Sequence, residues 1–280
     1  MTYKKLLVQL DAGSRCPARI AIAAQLAAAH GSHVLGIAVT GLPDIVVSMN
    51  MAVPDAVEFI QVTETFLRER AEAVAAAFEQ QLKAAACGPY EARVVKGGTI
   101  ETIGRLARCS DLVLVGQDEP QAPVDGTAHD LPEQAMLRSG APVLVLPYAG
   151  DFPTLGTRAL VAWKDTREAA RAIRGALPLL RGASRVDLLE LTEGSGESTS
   201  ADGSLADAQA WLARHGITAD ARHEPAAGDV GETLLSRAAD LSADLLVMGG
   251  YGHARVREWV LGGATRQLLG HMTLPTLMAH

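Results

Sequence analysis

Asp111-Leu112-Val113-Leu114-Val115-Gly116 and Asp244-Leu245-Leu246-Val247-Met248-Gly249 are two copies of one short apolar run, and their likeness decides the fold. Twenty-six residues beyond each glycine stands a proline that opens a further apolar run: Pro142 in Ala141-Pro142-Val143-Leu144-Val145, and Pro275 in Leu274-Pro275-Thr276-Leu277-Met278. Toward the amino terminus, Lys5-Leu6-Leu7-Val8-Gln9-Leu10 recurs as Arg158-Ala159-Leu160-Val161-Ala162-Trp163. The upstream copies stand 153 residues apart and the downstream copies 133. A repeat is read before any single element, because missing it misassigns the whole fold. The first copy therefore carries about twenty extra residues, placed between Gly41 and Ile60.

Within each copy, short apolar runs alternate with longer helical patterns. The first copy predicts strands near 5–10, 33–39, 91–96, 111–116 and 142–147, with helices near 17–30, 55–86, 98–109 and 131–139. The second predicts strands near 158–163, 185–191, 217–223, 244–248 and 275–279, with helices near 166–180, 204–215, 229–240 and 262–271. Strands that read as continuous apolar runs are covered by helices on both faces. The β-α alternation then gives an α/β fold: two tandem domains, 1–149 and 157–280, each a five-stranded parallel sheet with right-handed crossovers. Tyr148 to Gly156 is the linker, rich in turn formers. The last strands of the two copies are expected to meet across a pseudo-two-fold, burying edges that a lone copy would expose. Gly194 to Gly203 is polar and low in complexity, a flexible loop.

Composition removes several classes. The 280 residues carry 25 Lys and Arg against 32 Asp and Glu, a net charge of −7, so neither a basic nucleic-acid footprint nor a polybasic membrane patch is present. No apolar run reaches the roughly 18 residues of a spanning helix, and the first residues lack a signal-peptide pattern. Cys16, Cys87 and Cys109 have no metal-ligand spacing, and their odd number argues against a disulfide framework. A cytoplasmic protein follows, with Cys109 read as a buried, inert thiol. No Ser/His/Asp set, H-E-x-x-H or C-x-x-C supports hydrolytic or redox catalysis.

In open α/β sheets, ligands sit beyond the carboxyl ends of the strands. The segment leaving the second copy's fourth strand holds Gly249, Gly252 and Gly262 as G-x2-G-x9-G, and Gly262-Gly263 opens the last helix. Glycines let backbone amides approach an anion, and a helix amino terminus adds unpaired donors. The pattern is neither a Walker A sequence nor a Rossmann fingerprint.

This spacing after an apolar strand, within a two-fold βα repeat, resembles tandem universal stress proteins of the UspA family. The resemblance spans essentially the whole chain and is specific in the second copy (Gly249, Gly252, Gly262, then Ala264-Thr265-Arg266). It implies two domains of the adenine nucleotide alpha hydrolase-like fold and a cytoplasmic stress-response protein, at most a slow ATPase. The ligand implied is ATP or AMP, with magnesium as companion. Carried across, the phosphate positions are Gly249, Gly252, Gly262 and Gly263, and the adenine side is Ala162, Lys164 or Asp165, and Leu191; His253 in the glycine loop, Ala264 after it and Trp163 at the strand end are further candidates. Two positions depart from the family pattern: Gly263 stands where a serine or threonine follows the third glycine, and Lys164 where an acidic residue closes the first strand. Adenine nucleotide is the expected partner, without nucleic acid or membrane, in a homodimer or an intrachain pseudo-dimer. A nucleotide-free dimerising scaffold is the alternative.

The first copy serves as an internal control. Gly116 to Glu133 places Glu119 opposite Gly252 and His129 opposite Gly262, with a formal charge of −5 against +2 for Gly249 to Arg266. No phosphate site is expected there. Several residues also have structural readings. His253, Arg255 and Arg257 read equally as exposed loop residues, Trp163 and Trp259 as packing, and Glu101 and Glu232 as first-turn helix caps. Arg68, Glu69, Arg70 and Glu72 mark a solvated helix face.

Overall fold

In a computed structural model, residues 2–41, 56–118, 130–192, 203–251 and 263–280 are described, with backbone only for 56–60. The chain divides into two compact units, Thr2–Ser139 and Gly140–His280.

Thr2–Ser139 holds β1 (Lys5–Leu10), α1 (Cys16–His30), β2 (His33–Val39), α2 (Ala56–Ala84), β3 (Tyr90–Val95), α3 (Thr99–Ala107), β4 (Leu112–Gly116) and α4 (Leu131–Ser139). Its strands lie in the order β3-β2-β1-β4, all parallel. Leu6, Leu7, Val8 and Leu112 to Val115 are fully buried, as their apolar runs require. Pro17 stands in the first turn of α1, where its missing N–H costs nothing, and Gly31 ends the helix at φ 65° with its N–H on the Ala27 carbonyl (2.8 Å).

Gly140–His280 holds β5 (Val143–Leu146), β6 (Arg158–Trp163), α5 (Arg167–Leu180), β7 (Arg185–Thr192), α6 (Ser204–Arg214), β8 (Ala219–Pro225), α7 (Val230–Asp240), β9 (Leu245–Gly249), α8 (Gly263–His271) and β10 (Thr276–Ala279). The order is β5-β10-β9-β6-β7-β8. Every pair is parallel except β5 with β10, antiparallel with Leu144 opposite Leu277. The last strands of the two sequence copies thus pair, and β5 lies in the second unit although it belongs to the first copy by sequence.

The repeated aspartates do one job twice. Asp111 accepts the N–H groups of Lys4 and Lys5 (2.7 and 2.9 Å), and Asp244 those of Thr157 and Arg158 (3.1 and 2.9 Å). Each ties the entry of its central strand to the start of the neighbouring one.

The structure revises some expectations. Cys109 is exposed, and the buried thiol is Cys16. The second copy's third strand begins at Ala219 rather than near 217. The cap of α7 is Asp229, whose carboxylate accepts the Gly231 and Glu232 amides (2.7 and 3.2 Å), while Glu232 accepts from Gln267 Nε2 (2.9 Å). Part of the extra length of the first copy is helix: α2 has 29 residues and its counterpart α6 has 11. The remainder, 42–55, lies outside the described residues, as do Glu119, His129 and residues 193–202.

Candidate functional site

Strand order reverses between β9 and β6 in Gly140–His280, which makes their carboxyl ends the switch point where ligands sit in open α/β sheets. Ala162 and Trp163 close β6, Lys164 and Asp165 follow exposed, and Leu191 lies near the end of the adjacent β7. Gly249 closes β9 on the other side of β6. The structure therefore gathers Ala162, Trp163, Lys164, Asp165, Leu191 and Gly249 at the ends of three neighbouring strands. Gly252, His253 and Gly262 lie outside the described residues, as do Arg255, Arg257 and Trp259.

Pairing fixes which face each residue takes. Ala162 stands opposite Leu189 and Met248, so Ala162 and Leu191 share one face of the sheet and Trp163 and Gly249 the other. Trp163 is half-buried, and its indole N–H donates to Ser204 Oγ at the start of α6 (3.2 Å). Gly249 faces the first turn of α5 closely: a Cβ there would lie 2.5 Å from the Ala169 nitrogen and 2.7 Å from the Glu168 carbonyl carbon. That helix is capped by Thr166, whose hydroxyl accepts the Ala169 N–H (3.3 Å). Glu168 is buried beside Arg167. Burial pushes its carboxyl up, but the Arg167 ion pair, the residue's own amide and the charge of His280 outweigh that and hold it below the usual carboxylate value.

Gly263 opens α8 and is exposed, and among the described residues a Cβ added to it meets nothing within 4 Å. Ala264 sits behind it, with its carbonyl 3.0 Å from the position of a Cβ on Gly231 of α7. The Thr265 hydroxyl is turned inward toward the Tyr251 amide (3.5 Å) and so does not replace the family hydroxyl. Tyr251 itself turns at φ 59°, a left-handed conformation that a side-chain-bearing residue rarely adopts. Two residues that the sequence reading missed hold the start of this segment. The His280 ring places Nδ1 3.2 Å from the Gly250 carbonyl, and Arg171 Nη1 donates to the His280 carbonyl (2.8 Å). Nothing in their spacing from the glycines announces the contact; only strand order brings β10 beside β9.

The matching ends in Thr2–Ser139 are filled. Arg19, 2% exposed, donates from Nε to the Gln9 carbonyl (2.7 Å) and from Nη2 to Asp11 (2.6 Å). Gln9 Nε2 donates to the same carboxylate (2.6 Å), and the Gly116 N–H reaches Gln9 Oε1 (3.3 Å). Arg19 Nη1 lies 2.5 Å from where a Gly116 Cβ would stand. Beside it, Leu67, Arg70, Ala71 and Val74 of α2 close over Leu10, Asp11 and Val39, leaving a cavity of about 20 Å³, room for one water. At the same offset the second copy has Ala162, Lys164 and Ala172 in place of Gln9, Asp11 and Arg19. The apolar α1 run hid an arginine whose role only the fold exposes.

Among the described residues, no group of three or more His, Cys, Asp or Glu gathers as a metal site, and no helix is long and apolar enough to cross a membrane.

The Universal stress protein family model matches residues 157–280. A universal stress protein from Archaeoglobus fulgidus DSM 4304 shares the fold with a TM-score of 0.73 at 16% identity, over 98% of this chain and 95% of that one. A functionally unknown protein from Pseudomonas aeruginosa PAO1 does so with a TM-score of 0.64 at 14% identity, over 98% and 92%. A universal stress protein in complex with cAMP matches 53% of this chain and 100% of its own, at 19% identity and a TM-score of 0.39. No curated protein matches the chain. Residues 157–280 match the universal stress protein family, and the fold of such a protein extends over both halves of the chain.

Proposed function

We propose that this tandem universal stress protein binds ATP or a related adenine nucleotide in its second repeat, 157–280, and acts in the cytoplasm as a ligand-linked stress-response module. The phosphates would lie on the backbone of the Gly249-to-Gly263 segment and at the amino end of α8. The base would lie between the ends of β6 and β7, against Ala162 and Leu191, with Trp163 on the opposite face of the sheet. Magnesium would ride with the phosphates.

One observation carries the reading: a buried Gln9–Asp11–Arg19 network fills the strand ends of the first repeat, while Ala162, Lys164 and Ala172 stand at those positions in the second. No catalytic role is proposed for any residue.

The test is to denature freshly purified protein and assay the supernatant for adenine nucleotide, then titrate ATP with and without magnesium in a thermal-shift assay. Bound nucleotide or a saturable shift is expected, and Gly252→Glu, which copies the first repeat, abolishes it. No shift at millimolar ATP overturns the reading in favour of a nucleotide-free dimerising scaffold. The packing of Gly249 against α5 favours that second reading, because it explains one glycine of the motif without a ligand.

A further inference from the structure

Helix α5 carries Arg167, Arg171 and Arg174, with Arg181 at its carboxyl cap, and all four are exposed. At 100° per residue they fall within about 80° of one another, and at 1.5 Å per residue they run about 21 Å along one side of the helix. The helix's one acidic residue, Glu168, is buried and compensates Arg167 at the amino end, so the uncompensated charge lies toward Arg171, Arg174 and Arg181. Arg167 Nε pairs with Glu168, Arg171 Nη1 donates to the His280 carbonyl (2.8 Å), and Arg181 meets the carbonyl and the ring of His215 (3.3 Å from Nε and 3.5 Å from Nη2), which leaves further N–H groups on each guanidinium.

The fold does not call for this stripe. At the offset of 153 residues the counterparts in the first repeat are Ser14, just before α1, and Ala18, Ala21 and Ala28 on it, all uncharged. Like charges three and four residues apart also weaken a helix. In a chain of net charge −7, such a concentration of one sign marks an interaction surface.

We infer that the outer face of α5 docks a short acidic segment of a partner protein, one presenting carboxylates every three or four residues along one side. Guanidinium forks match carboxylates bidentately. None of the large exposed apolar residues among the described ones (Val62, Phe66, Val94, Leu137, Tyr148) lies on α5, so the face has nothing to insert into a bilayer or to stack on a base. A segment of about 14 residues meets only the stripe.

The experiment is fluorescence anisotropy with a labelled twelve-residue glutamate peptide and the full chain. Saturable binding is expected at 20 mM salt, weakening as salt screens the contact toward 200 mM. Arg174→Glu with Arg181→Glu lowers the affinity at least about tenfold, whereas Arg105→Glu with Arg214→Glu, the same charge change off the stripe, leaves it within about twofold. Circular dichroism confirms that the variants fold. Absence of binding at 20 mM salt, or equal loss in both variants, overturns the proposal. Tighter binding of a 20-base-pair DNA duplex than of the peptide, lost in the stripe variant, overturns the occupant.

Discussion

Gly249 and Gly263 belong to one sequence motif yet answer to different forces. A Cβ on Gly249 would collide with the backbone of α5, 2.5 Å from Ala169 N, so Gly249→Ala forces helix and strand apart and lowers stability by about 1–3 kcal/mol in urea unfolding. A Cβ on Gly263 meets none of the described residues within 4 Å, so Gly263→Ser is expected to fold normally and restores the hydroxyl of the family pattern. On the proposed reading it tightens ATP binding about tenfold by isothermal calorimetry, the worth of one added hydrogen bond. The spacing of the glycines was legible in the sequence, but the reason for each was not, because the neighbour of Gly249 comes from a helix about eighty residues upstream. Glu168 supplies a pH signature at the same place. Its folded carboxyl is held below the ordinary value, so the stability it contributes is complete above the unfolded carboxylate range and fades as pH falls through the lower folded value. Glu168→Gln should therefore cost about 1.5–3 kcal/mol at pH 7. The gap to the parent protein should narrow as pH falls below the ordinary carboxylate range in urea titrations.

Elements with strong apolar periodicity were read well, since β1, β2, β4 and their counterparts β6, β7 and β9 are buried on both faces and tolerate few polar residues. β8 was placed two residues early because it is an edge strand. Its Asp220, Arg222 and Glu224 pair with Arg185, Asp187 and Arg237 rather than following an apolar pattern, a charge ladder that also discourages edge-to-edge association. α1 was recognised as a helix, but its alanine-rich run gave no hint that Arg19 points inward. Arg19→Ala takes the cation from the Asp11 carboxylate, which keeps the Gln9 Nε2 and Gly13 N–H donors, and leaves the Gln9 carbonyl without its Arg19 donor. It should cost about 3–5 kcal/mol by chemical unfolding. Arg68→Ala, which removes only an exposed 3.7 Å pair with Glu72, should change stability by less than about 0.5 kcal/mol.

Duplication was visible at the level of the whole chain because the two copies keep the same distance from glycine to proline, and that distance reflects one connection built twice. Sequence likeness cannot say which partner a strand chooses, and there the structure adds most. β5 is written in the first copy and hydrogen-bonds to β10 of the second. Its neighbour Pro142 presses on Gly175 of α5, within 2.8 Å of a Cβ position. A fragment starting at Gly140 should therefore melt higher than one starting at Thr157, by several degrees in calorimetry, because the shorter piece leaves β10 with a bare edge. If the two melt alike, the pairing contributes little. The border of inheritance and the border of folding thus fall some seventeen residues apart. Recombination that lifts the later copy into another gene keeps its sheet closed only when it also carries the tail of its older sibling.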